Sequence, residues 1–252
     1  LLLSNKPLMV DLFCGLGGWA SGGLSEGYDV IGFDIEAWPY PGQLVLQDVL
    51  TLHGRQFKGA SLIVASPPCQ AYSYRAMPWK RAKALPPPDN TLFEVCFRIQ
   101  REASEAAGHS IPLIVENVRG AQKWVGRAKW HYGSYYLWGD VPALMPMGGK
   151  LKFANGNNKE RYFKNRPVSH WGDKGSLNGI KHGGDWFSGY GGGFGWDHSQ
   201  MRQHSSKSPA RKAASALIAK IPFPLANWIA KVFKPKEAQN LAPQSPVAAP
   251  DE

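Results

Sequence analysis

Short apolar runs alternate with glycine-rich and helix-compatible stretches through the first half of the chain, and that alternation sets the expected architecture. Leu8–Phe13 reads as a buried strand that runs into a glycine cluster and then a helix-compatible stretch. Tyr28–Phe33 reads as a second strand ending at Asp34, Ser61–Ala65 as a third reaching the Pro67-Pro68 break, and Ile111–Val115 as another. Thr91–Ala107 differs, because Leu92, Phe93, Val95, Cys96 and Ile99 recur at helical spacing on one broad apolar face. Strands alternating with helices predict an α/β fold, a doubly wound and mostly parallel sheet.

The periodicity fades from about residue 143. Glycine runs such as Gly183-Gly184 and Gly191-Gly192-Gly193 punctuate short aromatic pieces up to about 208, which reads as loops and short strands. Helical character returns over Pro209–Phe233, interrupted at Pro222 and Pro224, and the tail from Lys234 to Glu252 is rich in Pro, Ala and Gln. The expected organisation is a core over residues 1–142, a small loop-rich lobe over 143–208, a helical segment over 209–233 that returns to the core, and a disordered tail over 234–252.

Charge sharpens the picture through its distribution. The net +10 is carried by residues 121–212, which hold 15 basic against 5 acidic side chains, whereas residues 1–120 hold 10 against 11. The same stretch contains 16 of the 28 glycines and 6 of the 10 tryptophans, so cations, rings and close-approach backbone occur together as on a nucleic-acid surface. A solvated loop region with ordinary lysines is the plainer account of the same composition. The three cysteines, Cys14, Cys69 and Cys96, have no paired spacing, which argues against a disulfide framework or structural zinc and fits a reducing cytoplasm. No apolar run reaches membrane-spanning length, and Leu1-Leu2-Leu3 is too short for a signal-peptide core.

Three clusters carry candidate chemistry. Asp11-Leu-Phe-Cys-Gly-Leu-Gly-Gly18 is a strand entering a glycine turn, where bare backbone and a helix N-terminus can meet a ligand, and Asp34 stands where a carboxylate can hold ribose hydroxyls. A purely structural turn would look the same. Ser66-Pro-Pro-Cys-Gln-Ala-Tyr-Ser73 follows an apolar strand, and its prolines stiffen a loop that presents Cys69 at the carboxyl edge of the sheet. Free cysteine is more often buried and inert, but a position between Pro and Gln in a polar loop is poor core. Val115-Glu116-Asn117-Val118 again ends a strand; Glu116 is either a solvated cap or a third group at that same edge.

Taken in order, these pieces resemble the DNA cytosine-5 methyltransferase family, over about residues 8–120, and in particular its short phage or prophage members. Asp11–Gly18 resembles the family's first motif, Pro67–Ser73 its proline-cysteine loop, Asn90-Thr91-Leu92-Phe93 the short motif opening a helix, and Glu116-Asn117-Val118 its glutamate motif. The resemblance implies a Rossmann-like S-adenosylmethionine methyltransferase fold. It implies S-adenosyl-L-methionine as cofactor, with contacts at Phe13, Gly15, Gly17, Asp34, Ile35, Asp48, Val49, Pro68 and Leu92. It also implies catalysis by Cys69, Glu116 and Asn117. A Cys69 thiolate would add to carbon 6 of a flipped cytosine while protonated Glu116 hydrogen-bonds N3, and Asn117 would orient the loop. DNA is the implied partner, with candidate contacts at Gln70, Ser73, Arg119, Lys159, Lys164, Arg202 and Gln203. The expected protein is a cytoplasmic monomer without membrane attachment or metal.

The chain departs from the family twice. The family's Gln-x-Arg-x-Arg motif is missing, and Tyr135-Tyr-Leu-Trp-Gly-Asp-Val-Pro142 stands in its neighbourhood; Arg119, Arg161 and Arg166 are candidate substitutes. Near the C-terminus Ala219-Lys-Ile-Pro222 stands where the family has Gly-Asn-Ser. Three rivals stay open: the same chemistry on RNA, a catalytically dead DNA-binding relative, and a nicotinamide oxidoreductase, which would leave Cys69 and Glu116 without a task.

Overall fold

The structure is a computed structural model, and it describes residues 6–73, 84–145, 216–217 and 219–235. Seven strands form one sheet: β1 (Leu8–Leu12), β2 (Asp29–Asp34), β3 (Gln43–Leu46), β4 (Ala60–Ala65), β5 (Leu113–Asn117), β6 (Trp130–Tyr132) and β7 (Tyr135–Gly139). Their order across the sheet is β3-β2-β1-β4-β5-β7-β6. β1 to β5 run parallel, and β7 is antiparallel to both of its neighbours. The sheet is accompanied by α1 (Gly18–Ser25), α2 (Thr91–Ala107), α3 (Gln122–Val125) and α4 (Phe223–Phe233).

The expected doubly wound, mostly parallel sheet is present, because each central strand is apolar on both faces and needs cover on both. On one face α2 packs Phe93, Val95, Cys96, Ile99 and Ala103 against Val10, Leu12, Ile63, Ala65 and Val115. The observed helix has the same bounds as the sequence predicts, since its apolar stripe is strictly periodic and Gly108, at φ 74, supplies the left-handed stop. On the other face α1 and α4 cover Met9, Val30, Leu62, Val64 and Ile114. Tyr28 donates its hydroxyl to the Ala230 carbonyl at 3.0 Å, and Asn227 donates to Glu26 at 2.7 Å, so the last helix is fastened to the first across 200 residues of chain.

Four details differ from the sequence-based expectation. β5 begins at Leu113 rather than Ile111 and ends at Asn117, so Glu116 and Asn117 are strand residues rather than the start of a loop. Ile111 is buried but spends its amide on the Ser104 hydroxyl, outside the ladder. β3, a four-residue edge strand with exposed ends, carried no signal long enough to read. The β6–β7 hairpin was hidden because Tyr135-Tyr136-Leu137-Trp138 lacks polar alternation. Pro224 does not interrupt a helix; it lies in the first turn of α4, where a missing N–H costs nothing. Among the described residues, no helix is long and apolar enough to cross a membrane.

Candidate active site

The carboxyl ends of β1, β2, β4 and β5 bring the sequence clusters to one edge. β1 leaves the sheet through Phe13, whose φ of 56 is unusual for a residue with a side chain, and through Gly15 and Gly17 at φ 47 and 66. Gly17 is the residue before α1, and both its left-handed backbone and the closeness of Tyr40 and Pro41 exclude a side chain there.

Asp34, at the end of β2, holds this turn in place. One carboxylate oxygen accepts from the Gly15 amide at 2.9 Å and the other from the Glu36 amide at 3.0 Å. Each oxygen keeps a second lone pair for an incoming hydroxyl. Beneath the turn lies Asp11, fully buried, accepting the Tyr40 hydroxyl at 3.1 Å. Burial pushes the Asp11 carboxyl well above the usual carboxylate range; the Tyr40 hydrogen bond opposes that shift, and the nearby Asp34 charge adds to it.

β4 delivers the cysteine loop. The Ser66 hydroxyl accepts from the Trp19 indole at 3.0 Å, and the Ser66 amide donates to the Leu12 carbonyl at 3.1 Å. Pro67 is buried, Pro68 exposed and Cys69 half-buried, and the Cys69 carbonyl accepts the amides of Tyr72 and Ser73, each at 3.0 Å. Of the three thiols, Cys14 and Cys96 are buried, and desolvation pushes both upward. Cys69 alone combines access to solvent with a turn whose backbone is already committed.

β5 runs beside β4 with Val115 opposite Ala65, so Glu116 and Asn117, the last two residues of β5, lie beside the start of the cysteine loop. Asn117 is buried; its amide donates to the Pro67 carbonyl at 3.0 Å, and its side-chain oxygen accepts the Val118 amide at 2.8 Å. Glu116 is 8% exposed and points to the opposite face, near enough to Tyr135 for its charge to help raise that phenol.

The remaining expected contacts take varied positions. Asp48 is exposed and caps the turn Val49–Thr51 by accepting the Leu50 amide at 2.9 Å; Val49 is buried and Leu92 half-buried. Ile35 is 72% exposed just beyond β2, an apolar side chain left largely uncovered. Gln70 and Arg119 are exposed and Ser73 is half-buried near the cysteine loop. Lys159, Lys164, Arg202 and Gln203 lie outside the described residues.

Sequence reasoning missed the groups that knit the site together. Tyr72 donates to Asn90 at 2.9 Å, Asn90 donates to the Trp124 carbonyl at 3.3 Å, and Gly120 packs directly on the Tyr72 carbonyl. Arg98 donates to Glu102 at 2.8 Å and to the Leu52 carbonyl at 3.0 Å, while Glu102 accepts the Gly54 amide at 2.6 Å, which clamps the segment after Asp48 onto α2. Apart from Arg98 and Glu102, which are neighbours one turn apart on α2, these partners stand 18 to 48 residues apart, so no local pattern signals them. Among the described residues, no group of three or more His, Cys, Asp or Glu is placed to hold a metal.

No protein-family model matches the chain, and no curated protein matches it in sequence. Solved structures similar to part of it include a putative DNA modification methyltransferase encoded within a prophage of E. coli, at 23% identity and TM-score 0.34, covering 48% of this chain and 34% of that one. Spodoptera frugiperda DNMT2 is similar at 19% identity and TM-score 0.33, covering 47% and 37%. S. pombe Dnmt2 methyltransferase is similar at 15% identity and TM-score 0.34, covering 47% and 36%. The matched part thus spans little more than a third of each of those chains.

Proposed function

We propose that the chain is an S-adenosylmethionine-dependent DNA cytosine-5 methyltransferase with Cys69 as nucleophile. The observation that carries this reading is the Asn117–Pro67 hydrogen bond, which joins the glutamate-bearing strand to the one accessible cysteine beside a glycine turn held by Asp34. A nicotinamide oxidoreductase would need only the turn. The sequence order of the motifs adds to the case, and so does a parallel sheet whose β7 alone runs against its neighbours.

The residues present fit such a cofactor. A Cβ built on Gly15 would meet nothing within 4 Å, so the space over the turn is open, and the free lone pairs of Asp34 face ribose-like chemistry. Exposed Ile35 offers an apolar side for a flat base, and Asp48 an acceptor for its amino group. When bound, the cofactor would supply an electrophilic methyl carbon on a sulfonium.

The chain's own residues would do the rest. The Cys69 thiolate adds to carbon 6 of cytosine, breaking the C5–C6 π bond, while protonated Glu116 donates a hydrogen bond to N3 and stabilises the negative charge that develops on the ring. Carbon 5 would then carry the electron pair that bonds the methyl group, whose bond to sulfur would break to leave a neutral thioether. Loss of the C5 proton to a base expels Cys69 and restores the double bond. Asn117 positions rather than reacts: both polar ends of its amide are occupied by the backbone of the two loops. A cytosine inside a duplex cannot reach this edge, so it must be flipped out. We further propose that residues 143–208 form the recognition lobe that reads the site sequence.

Incubation with a DNA duplex containing 5-fluorocytosine, with the cofactor present, tests the reaction as a whole. The expected product is a covalent protein–DNA adduct mapping to Cys69. No adduct on DNA would overturn the reading, and an adduct formed only on RNA would move the chemistry to that substrate.

A further inference from the structure

The segment after the glutamate strand has a composition and a position that the reaction chemistry alone does not use. Between Val118 and Gly139 there are four cationic side chains and no acidic one. Arg119, Lys123, Arg127 and Lys129 are all exposed, and among the described residues none of them makes an ion pair. Lys123 lies over the Trp124 ring at 4.6 Å, a contact that leaves its charge facing solvent.

Next to these cations, β6 is the last of the described strands in the sheet, so among the described residues one of its edges meets no other strand. His131, exposed, stacks on Tyr136 with ring centroids 5.0 Å apart and planes 19° from parallel. The inner ring is anchored, because Tyr136 is half-buried against the α2-side core; the outer ring stacks on Tyr136, lies 6.2 Å from the Trp130 ring at a tilt of 33°, and stays exposed to solvent. A flat, half-anchored pair in a segment that carries four exposed cations suits a base with its phosphates.

The surface is continuous with the cysteine loop. Tyr136 stands directly opposite Asn117 in the β5–β7 ladder, and His131 opposite Tyr136 in the hairpin. The turn at Gly120 rests on the Tyr72 carbonyl, and Asn90 bridges Tyr72 to Trp124. A strand whose cytosine enters at Cys69 would therefore pass its neighbouring phosphates over this face.

We infer that residues 119–136 form the DNA-strand contact of the catalytic domain, with His131 and Tyr136 as a stacking platform for an unpaired base beside the target cytosine. This rests on the DNA methyltransferase reading and deepens it.

The test uses the full chain and a fluorescein-labelled duplex, fully paired or with one unpaired base beside the cytosine. His131→Ala should weaken binding to the duplex with the unpaired base about tenfold, with a smaller effect on the paired duplex. His131→Phe should restore it, which simple loss of folding would not allow. An Arg127→Ala/Lys129→Ala double variant should weaken both duplexes and flatten the dependence of log affinity on log salt by about two units, one per lost phosphate contact. Wild-type affinity and salt slope in all variants would overturn the surface while leaving the Cys69 chemistry standing. Equal losses in His131→Ala and His131→Phe would overturn stacking. A wild-type chain that binds neither duplex, or binds RNA of the same sequence more tightly, would overturn the DNA assignment together with the proposed reaction on DNA.

Discussion

Asn117, the last residue of β5, donates its side-chain amide to the Pro67 carbonyl at 3.0 Å, two residues before Cys69. Both groups are buried, so the bond cannot be exchanged for one to water without opening the loop. Replacing Asn117 with Ala should cost about 1–3 kcal/mol of stability, the range for orphaning a buried polar partner. Turnover should fall further than cofactor affinity. Denaturant melts, calorimetry with S-adenosylhomocysteine and a methyl-transfer assay on one preparation would separate the effects; unchanged turnover would remove Asn117 from the positioning of Cys69.

Cys69→Ser should abolish methyl transfer and adduct formation and leave cofactor affinity near that of the wild type. A serine hydroxyl is far less ionised at neutral pH than a thiol and is a weaker nucleophile toward carbon 6. Cys14→Ser and Cys96→Ser serve as comparisons: both thiols are buried, so those changes should act on stability, with the nucleophile still present. Turnover surviving in Cys69→Ser would sink the covalent route.

Asp34→Ala should weaken S-adenosylmethionine binding by roughly 1.5–3 kcal/mol, the scale of a lost charge-assisted hydrogen bond. The change also frees the Gly15 and Glu36 amides, so the glycine turn loses its anchor. Calorimetry that shows unchanged cofactor affinity would place the cofactor elsewhere.

Asp11 predicts a pH dependence of definite sign. Its folded-state pKa is raised by burial, so between the ordinary Asp value of about 3.9 and the elevated folded value the native state binds the extra proton. This group therefore favours folding below that window and loses its contribution as pH climbs through it. Asp11→Asn, which can still accept the Tyr40 hydroxyl, should remove that component and flatten the stability profile from pH 4 upward. Urea midpoints for both proteins across pH 4–8 provide the check; parallel profiles would mean that Asp11 ionises in the fold without penalty.

By itself the sequence determined the features that depend on neighbours along the chain. The helix Thr91–Ala107 is legible because its apolar face repeats every turn, and the glycine turn because Gly15 and Gly17 take left-handed backbone angles that glycine tolerates cheaply. The Pro67-Pro68-Cys69 and Glu116-Asn117-Val118 texts are local too, and so their chemistry could be named. Tertiary structure decided which of these groups meet. Asn117 reaches Pro67 across 50 residues, Trp19 reaches Ser66 across 47 and Tyr40 reaches Asp11 across 29, through a strand order that no local pattern encodes. It also decided the hairpin: Tyr136 and His131 become a stacked pair only because β7 turns back between β5 and β6, and an apolar-aromatic run reads the same in a strand or a loop until pairing sets its register.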